Sequence, residues 1–260
     1  MSKHHGLHHH HHHDPFADMH LRSLEHRVLQ LEHQRRIDEA RARTREQVEQ
    51  RLDALRGMHR RPVMRLSWEA ELAAPSAPER QSLAMRVLAH DELAYAEALR
   101  VSQRMADLET YVGDDGIRTT FGPTTAHVDL RAPLGDEIPL ASDDPAMPLR
   151  TPRDRNDVYQ DYLCGLALRA ARELLGVLPL DAVTVDVWFV PVEAASSPSS
   201  DEPPTRPVNV RIVSMLCARV AMDVIPWEVA DASLVVQSLP HRMSFTADRG
   251  FYEVAHVRAG

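Results

Sequence analysis

The chain has 260 residues, of which 43% are hydrophobic and 26% are charged, as expected of one or two folded domains. Its longest apolar run, Leu174 to Leu180, covers seven residues and includes a proline, whereas a membrane-spanning helix needs roughly 18. Lys3 is the only lysine. P-loop NTPases, pyridoxal enzymes and protein kinases are therefore excluded for these residues, because each needs a lysine amine.

Histidine is concentrated at the start of the chain, where residues 4–13 hold eight of the 16 histidines. We interpret residues 1–17 as a purification tag and leader. Cys164 and Cys217 have apolar neighbours and lie far apart in the sequence. They are predicted to be buried thiols rather than a disulfide, which favours a cytoplasmic location.

A long helix is predicted over residues 18–61, because this segment consists mostly of Arg, Glu, Gln, Ala and Leu. The first part of this helix carries an apolar seam with 3,4 spacing, and the later part does not continue it. A long continuous leucine zipper is therefore not expected. The seam predicts self-association or a protein partner. Its residues are Leu21, Leu24, Val28 and Leu31.

The same helix carries the most basic stretch of the chain, since residues 21–61 hold 11 arginines against 7 acids while the whole chain has a net charge of −8. This makes nucleic-acid binding an alternative function. Interleaved acids and the absence of aromatic residues favour a solvated helix face instead. The candidate nucleic-acid contacts are Arg35, Arg36, Arg41 and Arg45.

A proline-containing linker with the single aromatic anchor Trp68 follows, and a second helix is predicted over residues 79–111. Together the two helices predict a coiled-coil-like helical hairpin over residues 18–111. Residues 112–153 are predicted to form two short strands, at 117–121 and 126–130, and a proline-rich loop.

Residues 154–260 are predicted to form a small α+β domain with an antiparallel sheet. A helix over 154–177 precedes strands at 182–192 and 208–220, which are separated by the low-complexity segment 194–207. A short helix near 227–239 and a strand at 251–257 complete the domain. The fold class expected for the whole chain is α+β, with a long N-terminal helical hairpin.

Few residues suggest a catalytic or metal-binding site. His127 and Asp129 share one face of a predicted strand, but two ligands do not make a metal site. No serine near His241 follows a nucleophile-elbow motif. No catalytic, metal-binding or cofactor-binding residue is therefore predicted, and the chain is not expected to be an enzyme. An unrecognised enzyme would require the fold to bring His127, Asp129 or His241 together with acids.

A resemblance runs through residues 79–257. Its C-terminal part comprises the segments YQDYLCGLALRAARELLGVLPLDAVTVDVWFV, VNVRIVSMLCARVAMDVIPWEVADASLVVQSL and FYEV, and its upstream part includes HVDLRAPLGDEIPL. Their apolar pattern and element order resemble the segment that precedes the nuclease domain in bacterial Mrr-type restriction endonucleases. The catalytic Asp and (Glu/Gln)-x-Lys cluster of that family has no counterpart in this chain. The resemblance implies a non-catalytic companion module.

We therefore expect a non-enzymatic interaction or adaptor module, accessory to a bacterial defence or DNA-processing system. The alternatives are a nucleic-acid-binding protein that uses the arginine-rich first helix and an unrecognised enzyme. No cofactor and no membrane partner are expected.

Overall fold

The computed structural model describes residues 15–113, 115–132, 151–189 and 209–257, without the side chains of 15–23, 25 and 152. The tag, most of the proline-rich loop and the segment 194–207 lie outside the described residues. The chain divides into two compact units, residues 1–47 and residues 48–260. None of the described helices is long and apolar enough to cross a membrane.

The described part of the first unit consists of one helix. Helix α1 spans Pro15–Arg56, and of its described side chains between residues 24 and 47 only Ile37 is partly buried. The prediction of one long helix over 18–61 is confirmed, although the helix ends at Arg56.

In the second unit, the end of α1 buries Leu52 and Leu55, and a 3-10 turn follows at Met58–Arg60. Four short helices come next. They are α2 (Trp68–Ala73), α3 (Pro78–Leu88), α4 (Glu92–Ser102) and α5 (Ala106–Val112).

The single helix predicted over 79–111 is therefore wrong, and the predicted helical hairpin is not confirmed. His90 and Gln103 adopt left-handed backbone conformations, with φ of 60° and 52°, and each separates two helices. Asp91 then caps α4, because its side chain accepts hydrogen bonds from Leu93 N and Ala94 N. Since neither helix break falls at a glycine or proline, neither could be predicted from the composition.

A six-stranded sheet forms the centre of the second unit, with its strands side by side in chain order. Neighbouring strands are antiparallel except β2 and β3, which are parallel. The strands are β1 (Ile117–Phe121), β2 (Thr125–Ala132), β3 (Ala182–Phe189), β4 (Val210–Ala218), β5 (His241–Thr246) and β6 (Gly250–Tyr252).

The predictions for the first four strands are confirmed, including the antiparallel pairing of β3 with β4. Strand β5 was missed, and the strand predicted at 251–257 is shorter than expected. The remaining helices are α6 (Pro152–Val177), α7 (Arg219–Met222) and α8 (Ala232–Ser238). A mixed α/β fold with a mostly antiparallel sheet is therefore present.

Helix α6 begins at a capping box formed by Thr151 and Asp154 and connects the two parallel strands. It supplies much of the core, and both cysteines are buried as predicted. The sheet alternates in burial: Val128, Val185 and Val187 are fully buried, whereas intervening residues of β2 and β3 lie on the other side. We call that side the polar sheet face. It consists of Arg118, His127, Asp129, Arg131, Asp186, Trp188, Arg211 and Ser214.

Candidate metal centre

Strand register brings the charged side chains of the polar sheet face together. Asp129 of β2 lies opposite Arg118 of β1 and beside Asp186 of β3, and Asp186 lies opposite Ser214 of β4. These four residues form one row across the strands, about 5 Å apart at each step. Alternation of side chains then places His127, two residues before Asp129 on β2, on the same face.

Asp186 is the centre of the cluster, and its side chain is fully buried. One carboxylate oxygen, Oδ1, accepts a hydrogen bond from Ser214 Oγ at 2.5 Å. The other, Oδ2, lies 2.8 Å from Arg211 Nε, 2.9 Å from His256 Nδ1 and 3.3 Å from His127 Nε2. Three nitrogen-bearing side chains therefore converge on one buried oxygen.

His127 faces two carboxylates. Its Nε2 atom is buried and lies 3.3 Å from Asp186 Oδ2 and 3.5 Å from Asp129 Oδ1, yet it is aligned for a hydrogen bond with neither. Arg211 Nε, although close to Asp186, is misaligned as well. Both contacts are therefore charge contacts rather than hydrogen bonds, because the direction of the N–H group decides the strength of a hydrogen bond.

His256 reaches the cluster from the segment after β6. Val254 N donates to Arg211 O at 2.8 Å, and Val257 N donates to Ser214 Oγ at 2.9 Å, so both bonds hold the segment along β4. The two imidazole rings meet edge to face, with 5.4 Å between their centroids. Ser214 therefore positions both the carboxylate and the segment that carries His256.

The charges of the cluster shift the protonation equilibria of its members. The carboxylate of Asp186 raises the pKa of His127 above its ordinary value, while burial opposes this shift and Asp129 adds to it. Burial acts to raise the pKa of Asp186, but the contact with His127, the hydrogen bonds from Ser214 and His256 and the charge of Arg211 leave that pKa below its ordinary value. The buried carboxylate is thus held in its ionised form.

The spacing of the nitrogen and oxygen atoms fits a metal ion. One ligand atom from each of His127, Asp186 and His256 can be chosen so that all lie within 4.8 Å of one another. At bond lengths of about 2.0 to 2.2 Å, neighbouring ligands of a tetrahedral or octahedral ion are about 2.9 to 3.5 Å apart. The separations of 3.3 Å and 2.9 Å from Asp186 Oδ2 to the two imidazole nitrogens lie in this range.

A surrounding layer of contacts fixes these groups. Trp188 Nε1 donates to Asp129 Oδ1 at 2.6 Å, and the guanidinium carbon of Arg211 lies over the Trp188 ring, 4.3 Å from its centroid. Such outer contacts orient ligand side chains in metal sites. Asp129 is therefore held beside His127 by a partner other than the ligand set.

The fold brings together only some of the residues that the sequence analysis named for an unrecognised enzyme. His127 and Asp129 meet the acid Asp186, as the enzyme alternative required, but His241 lies on β5, where its ring Nδ1 is 2.9 Å from Leu239 O. Asp186 and His256 were missed. The signal available for Asp186 was an acid inside a β-branched strand, where an unpaired charge is costly; no comparable signal marked His256.

The predicted residues of α1 lie on a different unit. Leu24, Val28 and Leu31 are exposed, while the side chain of Leu21 lies outside the described residues. Arg35 pairs with Glu39 at 2.8 Å, so part of its charge is compensated within the helix. The other candidate nucleic-acid contacts are exposed as well. They are Arg36, Arg41 and Arg45.

Comparison with known proteins adds no relative: no family model matches the chain, and neither curated proteins nor solved structures gave a significant match.

Proposed function

We propose that the protein binds a divalent transition-metal ion through His127, Asp186 and His256 and uses it in hydrolytic chemistry on the polar sheet face. The observation that carries the proposal is the approach of two imidazole nitrogens to one buried carboxylate oxygen at ligand-like separations. This differs from the expectation of a non-enzymatic module, which was formed without Asp186 and His256 beside His127.

Ligand chemistry supports a transition metal rather than calcium or magnesium. Two imidazoles and one carboxylate suit zinc, iron or manganese, whereas calcium and magnesium prefer oxygen ligands alone. Three protein ligands leave a coordination position for water, as in hydrolytic zinc sites, and the bound metal would lower the pKa of that water. Asp129, 3.5 Å from His127 Nε2, is placed to accept a proton beside the ligand set.

Arg211 sets a condition on metal binding. Its Nε lies 2.8 Å from Asp186 Oδ2, the same oxygen that a metal would use, and its positive charge repels a second cation. Metal binding also requires imidazole nitrogens without protons. We therefore expect binding to strengthen as the pH rises, and Arg211→Gln to bind metal more tightly than the wild type.

The test is the number of Zn²⁺ ions bound after equilibrium dialysis, measured by mass spectrometry of the metal. Histidine-rich tracts bind metal ions, and residues 4–13 form such a tract. All variants therefore retain it, and the zinc content of each variant is compared with that of the wild type. Asp186→Asn and His256→Gln should each bind one ion fewer than the wild type.

The matched control is His241→Gln, which removes a histidine of the same domain outside the cluster and should leave the number of ions unchanged. Equal zinc content in the wild type, Asp186→Asn and His256→Gln would rule out the proposed metal centre. Because His256 is 42% exposed, its variant is expected to fold even if Asp186→Asn does not.

A second candidate function is self-association through α1, in keeping with the expected interaction or adaptor module. Leu24, Val28 and Leu31 are 48%, 53% and 71% exposed, and their 3,4 spacing would allow a short coiled coil with a second copy. The resemblance to the Mrr segment suggests that such a module would be accessory to a defence or DNA-processing system.

Light scattering of the full chain tests this second candidate. A dimer that becomes a monomer in Val28→Glu/Leu31→Glu would support pairing through the seam, whereas a wild-type monomer would contradict it. Adding a short DNA duplex at low salt tests the nucleic-acid alternative, which predicts binding that Arg41→Glu and Arg45→Glu weaken.

A further inference from the structure

A cleft of about 380 Å³ lies on the polar sheet face beside the candidate metal centre. Asp129 belongs to both, since it lines the cleft and also lies 3.5 Å from His127. The lining residues are Asp115, Gly116, Arg118, Asp129, Arg131, Trp188 and Asn209.

Two arginines give the cleft its binding chemistry. Arg118 lies directly opposite Asp129 on the neighbouring strand, and Arg131 follows Asp129 by two residues on the same face of β2. Both are exposed. Within the part of the chain that the structure describes, neither has a carboxylate at ion-pair distance. Arg211, in contrast, is committed to Asp186.

The backbone around the cleft is fixed by close contacts. Arg131 N donates to Gly116 O at 2.7 Å, which ties the end of β2 to the start of β1. A Cβ atom at Gly116 would lie 2.3 Å from Val112 O, so this position admits only glycine without backbone movement. The two arginines therefore project from an ordered frame.

We propose that this cleft binds a phosphate group through Arg118 and Arg131, and that the metal centre acts on a phosphoester presented there. Two guanidinium groups from neighbouring strands can approach a tetrahedral dianion from two sides, with several charge-assisted hydrogen bonds. The second half of this inference rests on the proposed metal centre; the first half does not.

Two acids shape the expected affinity. Asp115 and Asp129 line the same cleft and repel an anion, so the arginines alone should bind phosphate weakly. A divalent ion beside Asp129 would offset that repulsion and attract the phosphate oxygens directly. We therefore expect phosphate binding to be measurable without metal and tighter with it.

The experiment is calorimetric titration of the full chain with inorganic pyrophosphate in the presence of EDTA. Arg118→Gln/Arg131→Gln should bind pyrophosphate at least tenfold more weakly than the wild type. The control Arg100→Gln/Arg249→Gln removes two exposed arginines outside the cleft and should bind as the wild type does. Equal affinity in all of these proteins would overturn the proposal, and so would an equal loss in both double variants.

Folding is checked by the thermal midpoint, and the single variant Arg118→Gln replaces the double variant if the latter melts early. The titration is then repeated with Mn²⁺ in the wild type and in Asp186→Asn. Enhancement by Mn²⁺ in the wild type alone would support a phosphoester as the substrate class. If binding depends on the arginines but Mn²⁺ does not strengthen it, the proposed action of the metal centre on a phosphoester is contradicted, while phosphate binding in the cleft is still supported.

Discussion

Asp186 illustrates how a charged residue is retained in the core of this protein. A fully buried carboxylate costs several kcal/mol unless nearby groups replace its hydration. Here Ser214 donates to one oxygen while His256, Arg211 and His127 surround the other. The ionised form is favoured for this reason. It places a negative charge on the polar sheet face, where it would attract a bound cation.

Ser214→Ala tests how far the cluster depends on that hydroxyl group. The change leaves Asp186 Oδ1 and Val257 N without their partner, and an unsatisfied buried polar group costs about 1 to 3 kcal/mol. We expect the free energy of unfolding in urea to fall by about this amount. Ser244→Ala, at an exposed position of β5, is the control and should change it by less than about 0.5 kcal/mol.

His127 predicts a pH dependence of stability. Since the folded-state pKa of His127 is raised, its contribution is complete below about pH 6.5, the unfolded value, and is lost as the pH rises through the folded value. The opposite holds for Asp186, whose lowered pKa gives a contribution that is lost only in acid. The thermal midpoint of the wild type, relative to His127→Gln, should therefore decrease between pH 6 and pH 8.5.

The comparison with His127→Gln is essential because His59 acts in the opposite direction. Burial lowers the pKa of His59, so its contribution is lost as the pH falls. A wild-type advantage that stays constant from pH 6 to pH 8.5 would show that the proton of His127 is not coupled to folding.

At the scale of elements, the linker before α2 and the first residue of α2 pair with the last carbonyl groups of α6. The last carbonyl groups of a helix lack partners within it. In this protein Leu66 N donates to Gly176 O at 2.8 Å, and the indole Nε1 of Trp68 donates to Val177 O at 2.5 Å. The aromatic anchor recognised in the sequence therefore serves as a cap as well as a core residue.

Trp68→Ala should be among the most damaging substitutions in the second unit. Trp68 is 2% exposed, and replacing a buried tryptophan by alanine costs about 3 to 5 kcal/mol. Trp68→Phe keeps most of the apolar contact but leaves the Val177 carbonyl unpaired, so a smaller loss of about 1 to 3 kcal/mol is expected. A Trp68→Phe variant that is as stable as the wild type in urea unfolding would contradict the capping role.

At the scale of the whole molecule, two compact units divide the chain within α1. The second unit contains the sheet, the candidate metal centre and the cleft, while the described side chains of the first are nearly all exposed. Helix formation in an exposed segment relies on local propensity and side-chain pairs such as Arg35 with Glu39. The first unit should therefore contribute little to the stability of the second.

A chain that starts at Thr44 tests this division, because it retains Val48, Leu52 and Leu55, which pack in the second unit. We expect its thermal midpoint to lie within about 3 °C of that of the full chain, a difference of about 1 kcal/mol or less. Pyrophosphate titration should give the same affinity. A decrease of 10 °C or more would mean that residues before Thr44 stabilise the second unit.

The sequence by itself determined which classes of lysine-dependent enzyme are excluded and which segments form β1 to β4. It also determined that both cysteines are buried. These are local properties of composition and period. Only the tertiary structure decided the breaks at His90 and Gln103, because left-handed backbone at residues other than glycine depends on surrounding contacts. It also decided the site: His127, Asp186 and His256 meet through parallel pairing of β2 with β3 and the return of the last segment along β4, and such long-range pairings leave no local pattern in the sequence.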